Sequence, residues 1–212
     1  MAKKSTYVFD LDAFSEKLNA ESDRACAVLG AALLDAKLED LFRRRLSCFK
    51  DELLDSTRPI GTFSARIRLA RALAWINDDV CHDLDIIRNI RNDFAHSFDH
   101  GLAFSDKLIS ARCTSLKIGQ AHLDGYDILA TTTTNFSVQV VRGMKAAFEP
   151  PRWRFEIAVS YIAQHLDDIS AEYLEYSGAD LVDEVRTLSA NTRFTINATM
   201  TLGSIPVESV KS

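Results

Sequence analysis

The stretch Val80 to His96, VCHDLDIIRNIRNDFAH, decides the fold. Its apolar residues Val80, Leu84, Ile87, Ile90 and Phe94 advance by four, three, three and four positions, which gathers them on one face of an α-helix. Asn77, Asp78 and Asp79 stand just before it, offering an N-cap oxygen and negative charge at the positive end of the helix dipole. A helix with one apolar stripe has to bury that stripe, so the chain must supply other helices around it.

Upstream, Ser22 to Leu46 repeats the helical spacing with Val28, Leu34, Leu38 and Leu41, and its Ala residues and Gly30 allow close approach of a neighbour. Ser22 is suited to the N-cap and Asp23 to the first turn. A shorter helix is expected over Asp10 to Asn19. In Arg58 to Ser64, RPIGTFS, Pro59 and Gly61 break regular structure and Thr62 or Ser64 caps a helix expected to reach about Ile76. Downstream, Ser97 to Gly101 reads as a turn and Phe104 to Cys113 as a helix. Between 114 and 150 the pattern is undecided, because Thr131 to Thr134 and the VQVV run at 138–141 lower helix propensity without alternating cleanly. Pro150 and Pro151 fit a helix start, and Trp153, Ile157, Tyr161 and Leu166 carry that helix to about Tyr176. The tail, TRFTINATMTLG at 192–203, alternates Phe194, Ile196, Ala198, Met200 and Leu202 as a short strand would. The fold class is therefore all-α: a helical bundle-like domain over 21–176, an N-terminal short helix or arm over 1–20, and a C-terminal extension over 177–212 with one strand-like segment.

Composition limits the function. With 47% hydrophobic residues the 212-residue chain can bury a sizeable core. No apolar run reaches the roughly 20 residues of a membrane span, and MAKKSTYVFD lacks the apolar core of a signal peptide, so a cytoplasmic protein is expected. Cys26, Cys48, Cys81 and Cys113 are widely spaced and read as reduced thiols filling the core. A net charge of −5 disfavours direct gripping of DNA phosphates. Two basic clusters, Arg43 to Arg45 and Arg66, Arg68 and Arg71, run against that balance, the first placed to face the negative end of a helix dipole.

One charged residue stands out within the deciding stretch. On a helical wheel Arg91 falls beside the stripe, between Ile87 and Phe94, where a cation needs an acid or a ligand. Asp83, two turns earlier, or Glu21 and Asp23 from the preceding long helix are the acids in reach of such a pairing. His96 follows five residues on, near the expected end of the same helix. A guanidinium always carries charge and can hold two oxygens of an anion, and an imidazole titrates near neutrality. In a regular helix, five residues separate two side chains by about 140°, so convergence requires fraying at His96 or a second chain. His96 and His100 have metal-binding spacing, but Ser97 and Gly101 break the helix and no third ligand is apparent, so neither metal nor cofactor is expected. Trp153 flanked by Arg152 and Arg154 has the composition of a nucleobase platform, though an aromatic opening an amphipathic helix is more simply core.

Two resemblances extend these readings. The segment RNDFAH resembles the R-x(4–6)-H motif of the HEPN superfamily, which implies a helical domain and, for Arg91 and His96, a catalytic pair of a metal-independent endoribonuclease, with Asn92 and Asp93 orienting them. Over a longer span, ESDRACAVLGAALLDAKLEDLF from Glu21, PIGTFSARIRLARALAWI from Pro59, CHDLDIIRNIRNDFAHSF from Cys81 and the FSD at Phe104 to Asp106 resemble the mannitol operon repressor (MltR) family in order and spacing. That resemblance implies an all-α fold and transcriptional regulation. Together with the acidic charge it points to a non-enzymatic regulator that self-associates and acts through a protein partner. Direct DNA binding is doubtful on this reading, and RNA is the alternative ligand. The stretch around Thr131 and the tail beyond Tyr176 stand outside the resemblance.

Overall fold

In the computed structural model, which describes residues 11–46, 50–97, 101–132 and 149–170 with isolated positions 146, 182–183 and 185–187, two local caps start the helices around which the chain is organised. Ser22 accepts from Ala25 N (3.3 Å) and Asn77 Oδ1 accepts from Val80 N (2.8 Å). The described residues form α1 (Leu11–Ala20), α2 (Asp23–Arg45), α3 (Lys50–Leu54), α4 (Phe63–Ala72), α5 (Asp78–His96), α6 (Lys107–Thr114), α7 (Lys117–Thr132) and α8 (Pro151–Ser170). No strand occurs among them, and no helix is long and apolar enough to cross a membrane. The strand-like tail, the VQVV run and Cys48 lie outside the described residues.

The bundle is built on α2, which packs most broadly on α8 and next on α5. Gly30 makes the first of these contacts possible: a Cβ there would stand 3.0 Å from Phe155 Cε1 and 3.2 Å from Val159 Cγ2. Cys26, Ala27 and Ala31 continue the same small-residue surface, all buried. On α5 the whole stripe of Val80, Leu84, Ile87, Ile90 and Phe94 is sealed from solvent, and each such side chain contributes about 2 kcal/mol of hydrophobic stabilisation. Phe94, Phe104 and Phe155 join α5, the turn before α6, and α8 through tilted ring contacts at 5.2 and 5.1 Å.

Three boundaries differ from the sequence expectation, each for a visible reason. First, α4 stops at Ala72 rather than Ile76, because Ala74 takes a left-handed conformation (φ 56°). Ala74 N donates to Arg71 O (3.0 Å) and Trp75 N to Ala70 O (2.9 Å), the paired bonds of a Schellman cap built on alanine instead of glycine. The cap turns Trp75 onto Phe42 (5.0 Å) and beneath the Arg45 guanidinium (5.4 Å), and Ile76 into the core. Second, α6 begins at Lys107 rather than Phe104, since Asp106 accepts from Ala103 N (2.7 Å) and Asp23 accepts from Phe104 N (2.9 Å), holding a turn there. Third, the undecided region opens with a regular helix, α7, which starts at Lys117 without a local cap. Its cap is tertiary: the fully buried Asp83 carboxylate on α5 accepts from Lys117 N and Ile118 N, both at 2.9 Å.

Candidate functional site

The end of α5 carries the residues singled out by sequence. The helix stays regular through its last residue, His96, with Ser97 N donating to Asp93 O (3.0 Å). Arg24 Nη2 donates to Ser97 O (2.6 Å), tying the first turn of α2 to this end of α5. His96 is exposed and Arg91 half-buried. Because the helix does not fray, the two side chains leave it about 140° apart and do not converge within one chain.

Of the residues expected around Arg91, only Asn92 reaches it, its Oδ1 accepting from Arg91 Nη1 (3.0 Å). No carboxylate pairs with Arg91 among the described residues. Asp93 instead pairs with Arg112 of α6. Asp83 is spent on the α7 cap and on His82 Nδ1 (3.0 Å). Asp23 serves Phe104 N and Arg152, and Glu21 is exposed, contributing its backbone carbonyl to Arg152 (2.8 Å). His100 lies outside the described residues. Among the described residues no three His, Cys, Asp or Glu side chains are grouped as metal ligands would be.

Arg152 has a different task from stacking on a base. From the first turn of α8 its Nε donates to Glu156 (2.8 Å), its Nη1 to Asp23 (2.8 Å), and its Nη2 to the carbonyls of Leu18 (2.7 Å) and Glu21 (2.8 Å). One guanidinium thus closes the C-terminal end of α1 and the start of α2 onto α8. Burial raises the Glu156 carboxyl above its ordinary range despite Arg152, and burial reinforced by Glu156 raises the Cys26 thiol. Arg154 is also engaged, donating to Gln120 Oε1 (2.9 Å).

The basic clusters are neutralised in the same manner. Arg66, buried, bonds Asp35 (2.5 Å) and Glu39 (2.8 Å) on α2 and the Leu54 carbonyl (3.2 Å). Arg68 pairs with Asp85 (2.8 Å), Arg71 with Asp78 (2.5 Å), Arg43 with Glu39 (2.7 Å) and Arg44 with Asp40 (2.6 Å). Arg45 donates to Ile169 O (2.9 Å). Most of these acids were visible in sequence at i−4 or in the next helix. The exceptions are the acids of Arg66, two helices earlier on α2, and the partners of Arg152 other than Glu156, which lie about 130 positions away (|i−j| 129 for Asp23) and leave no local signal.

No family model and no curated protein matches the chain. Among solved structures, the X-ray structure of the MtlR-HPr complex from Escherichia coli contains a chain similar in fold, with a TM-score of 0.51 at 20% identity over 76% of this chain and 98% of that chain. At that identity the likeness is one of helical architecture.

Proposed function

We propose that this protein is a transcriptional regulator of the mannitol-repressor type that works by binding another protein rather than by reading DNA. The observation that carries the second half of this reading is the state of its cations. Arg43, Arg44, Arg66, Arg68 and Arg71 each pair with a carboxylate of the same chain, which leaves the two basic clusters little charge for phosphates in a molecule of net charge −5. The regulatory half is supported by the sequence blocks from Glu21, Pro59 and Cys81 and by a fold shared with a chain solved in a complex with HPr. HPr is therefore the first partner to try. Titration of the purified chain with purified HPr should give saturable binding, and promoter fragments should show no sequence-dependent shift at about 150 mM salt. A tight, specific promoter shift that falls with salt would overturn the indirect mode of action. Failure to bind HPr with no promoter shift would remove that partner.

A second reading is favoured by Arg91, whose half-buried guanidinium is offset only by the neutral Asn92 among the described residues, on the same helix as exposed His96. On it the chain cleaves RNA without metal, two copies together completing the site. Cleavage should then disappear in His96→Ala and Arg91→Ala; equal activity in wild type and His96→Ala removes the histidine from the chemistry.

A further inference from the structure

Between α1 and the N-terminal half of α2 lies an open apolar groove of about 460 Å³, lined by Phe14, Leu18, Leu29 and Leu33. Leu29 is 46% exposed, one of three large hydrophobic side chains so exposed among the described residues. The other faces of α2 are covered by α4, α5 and α8, and α1 packs chiefly on α2 and α8, so among the described residues this face of the hairpin is uncovered.

Its rim selects the occupant. Lys17 in the last turn of α1 and Glu21 just beyond its end border the groove, opposite in sign, and neither side chain is ion-paired among the described residues. A patch carrying one cation and one anion at such a spacing is complementary to itself: a two-fold axis between them sets each Lys17 against the partner's Glu21, making two ion pairs from one contact. Such an axis would also bring the exposed Leu29, which lines the groove, to the shared contact. We infer that the α1–α2 face is a homodimer interface, with Leu29 as the apolar anchor and the Lys17 and Glu21 pairs fixing its register. This inference stands apart from the partner reading above, since it predicts the state of the isolated chain and needs no second protein.

Sedimentation of the full chain at tens of micromolar tests it, with far-UV circular dichroism confirming the fold of each variant. Wild type should sediment as a dimer and Leu29→Glu, at an exposed position, as a folded monomer. Lys17→Glu and Glu21→Lys, made singly, set like charges face to face and should each weaken association about tenfold, a change of about 1.4 kcal/mol. The double variant, which exchanges the charges, should restore wild-type association. A monomeric wild type, a dimeric Leu29→Glu, or a double variant no better than the single ones would overturn the assignment. A groove covered by a different protein or by another part of the same chain would give the first of these results.

Discussion

Replacing Asp83 by Ala should unfold α7 before the rest of the bundle and lower the stability of the whole. The carboxylate is fully buried and holds the first two amides of α7 at 2.9 Å each. Bonds to a charged acceptor are worth about 1.5 kcal/mol each, and truncation leaves both donors without a partner, so the loss is about 3 kcal/mol. For a chain of this size that lowers the melting temperature by about 9 °C. Asp83→Asn keeps one acceptor and should lose about half as much. Burial raises the Asp83 carboxyl above its ordinary 3.8, against the opposing pull of the Ile118 and Lys117 amides and of His82. The folded state therefore keeps the proton to a higher pH than the unfolded chain does, and the stability Asp83 contributes falls as pH rises from 3.8 through the raised value. The penalty of Asp83→Asn should accordingly be wider at pH 4 than at pH 7. The assay is thermal unfolding across that range, combined with amide exchange at Lys117 and Ile118. If Asp83→Ala melts within about 1 °C of wild type and those amides stay as protected, the tertiary cap does not hold α7.

Ala74→Gly should stabilise the protein by about 0.5 to 1 kcal/mol, since the left-handed conformation at φ 56° burdens alanine and not glycine; an unchanged or lower denaturation midpoint would contradict the Schellman cap. Burial pushes His122 down to about 4 from 6.5, so the unfolded chain takes up the proton first and stability falls as pH drops through that window. The fall attributable to this residue is about 3 kcal/mol between pH 7 and 4, and the unfolding free energy of His122→Phe should be correspondingly flatter there. Burial pushes Cys113 up to about 12 and Cys26 higher still, so neither forms thiolate at pH 8 and a disulfide reagent should modify them only after denaturation; rapid reaction of Cys26 in the native state would show that the α2–α8 seam opens.

The α5 stripe and the Ser22 and Asn77 caps were legible because periodicity and capping act within a turn or two; the small residues of α2 were legible as a close-packing surface, but not that α8 is what covers it. The site was less legible. The wheel placed Arg91 correctly beside the stripe, and it suggested Asp83, Glu21 or Asp23 as its acid. The structure gives Asp83 to α7, Asp23 to Arg152 and Phe104, and leaves Glu21 exposed. No spacing rule distinguishes among acids that are all in the right neighbourhood, because the choice depends on which helix end arrives there.

By itself, the sequence determined the fold class, the main helices and most of their starts, since helical hydrogen bonds, capping side chains and apolar periodicity are all local. Only the tertiary structure decided where α7 begins, what Arg152 holds together and that Arg91 and His96 diverge on an unfrayed helix. In the first two cases the deciding partner lies 34 or more positions away along the chain, where burial rather than sequence proximity brings donor to acceptor. In the third, the backbone of α5 had only to remain regular to its last residue, which the bond from Ser97 N to Asp93 O secures.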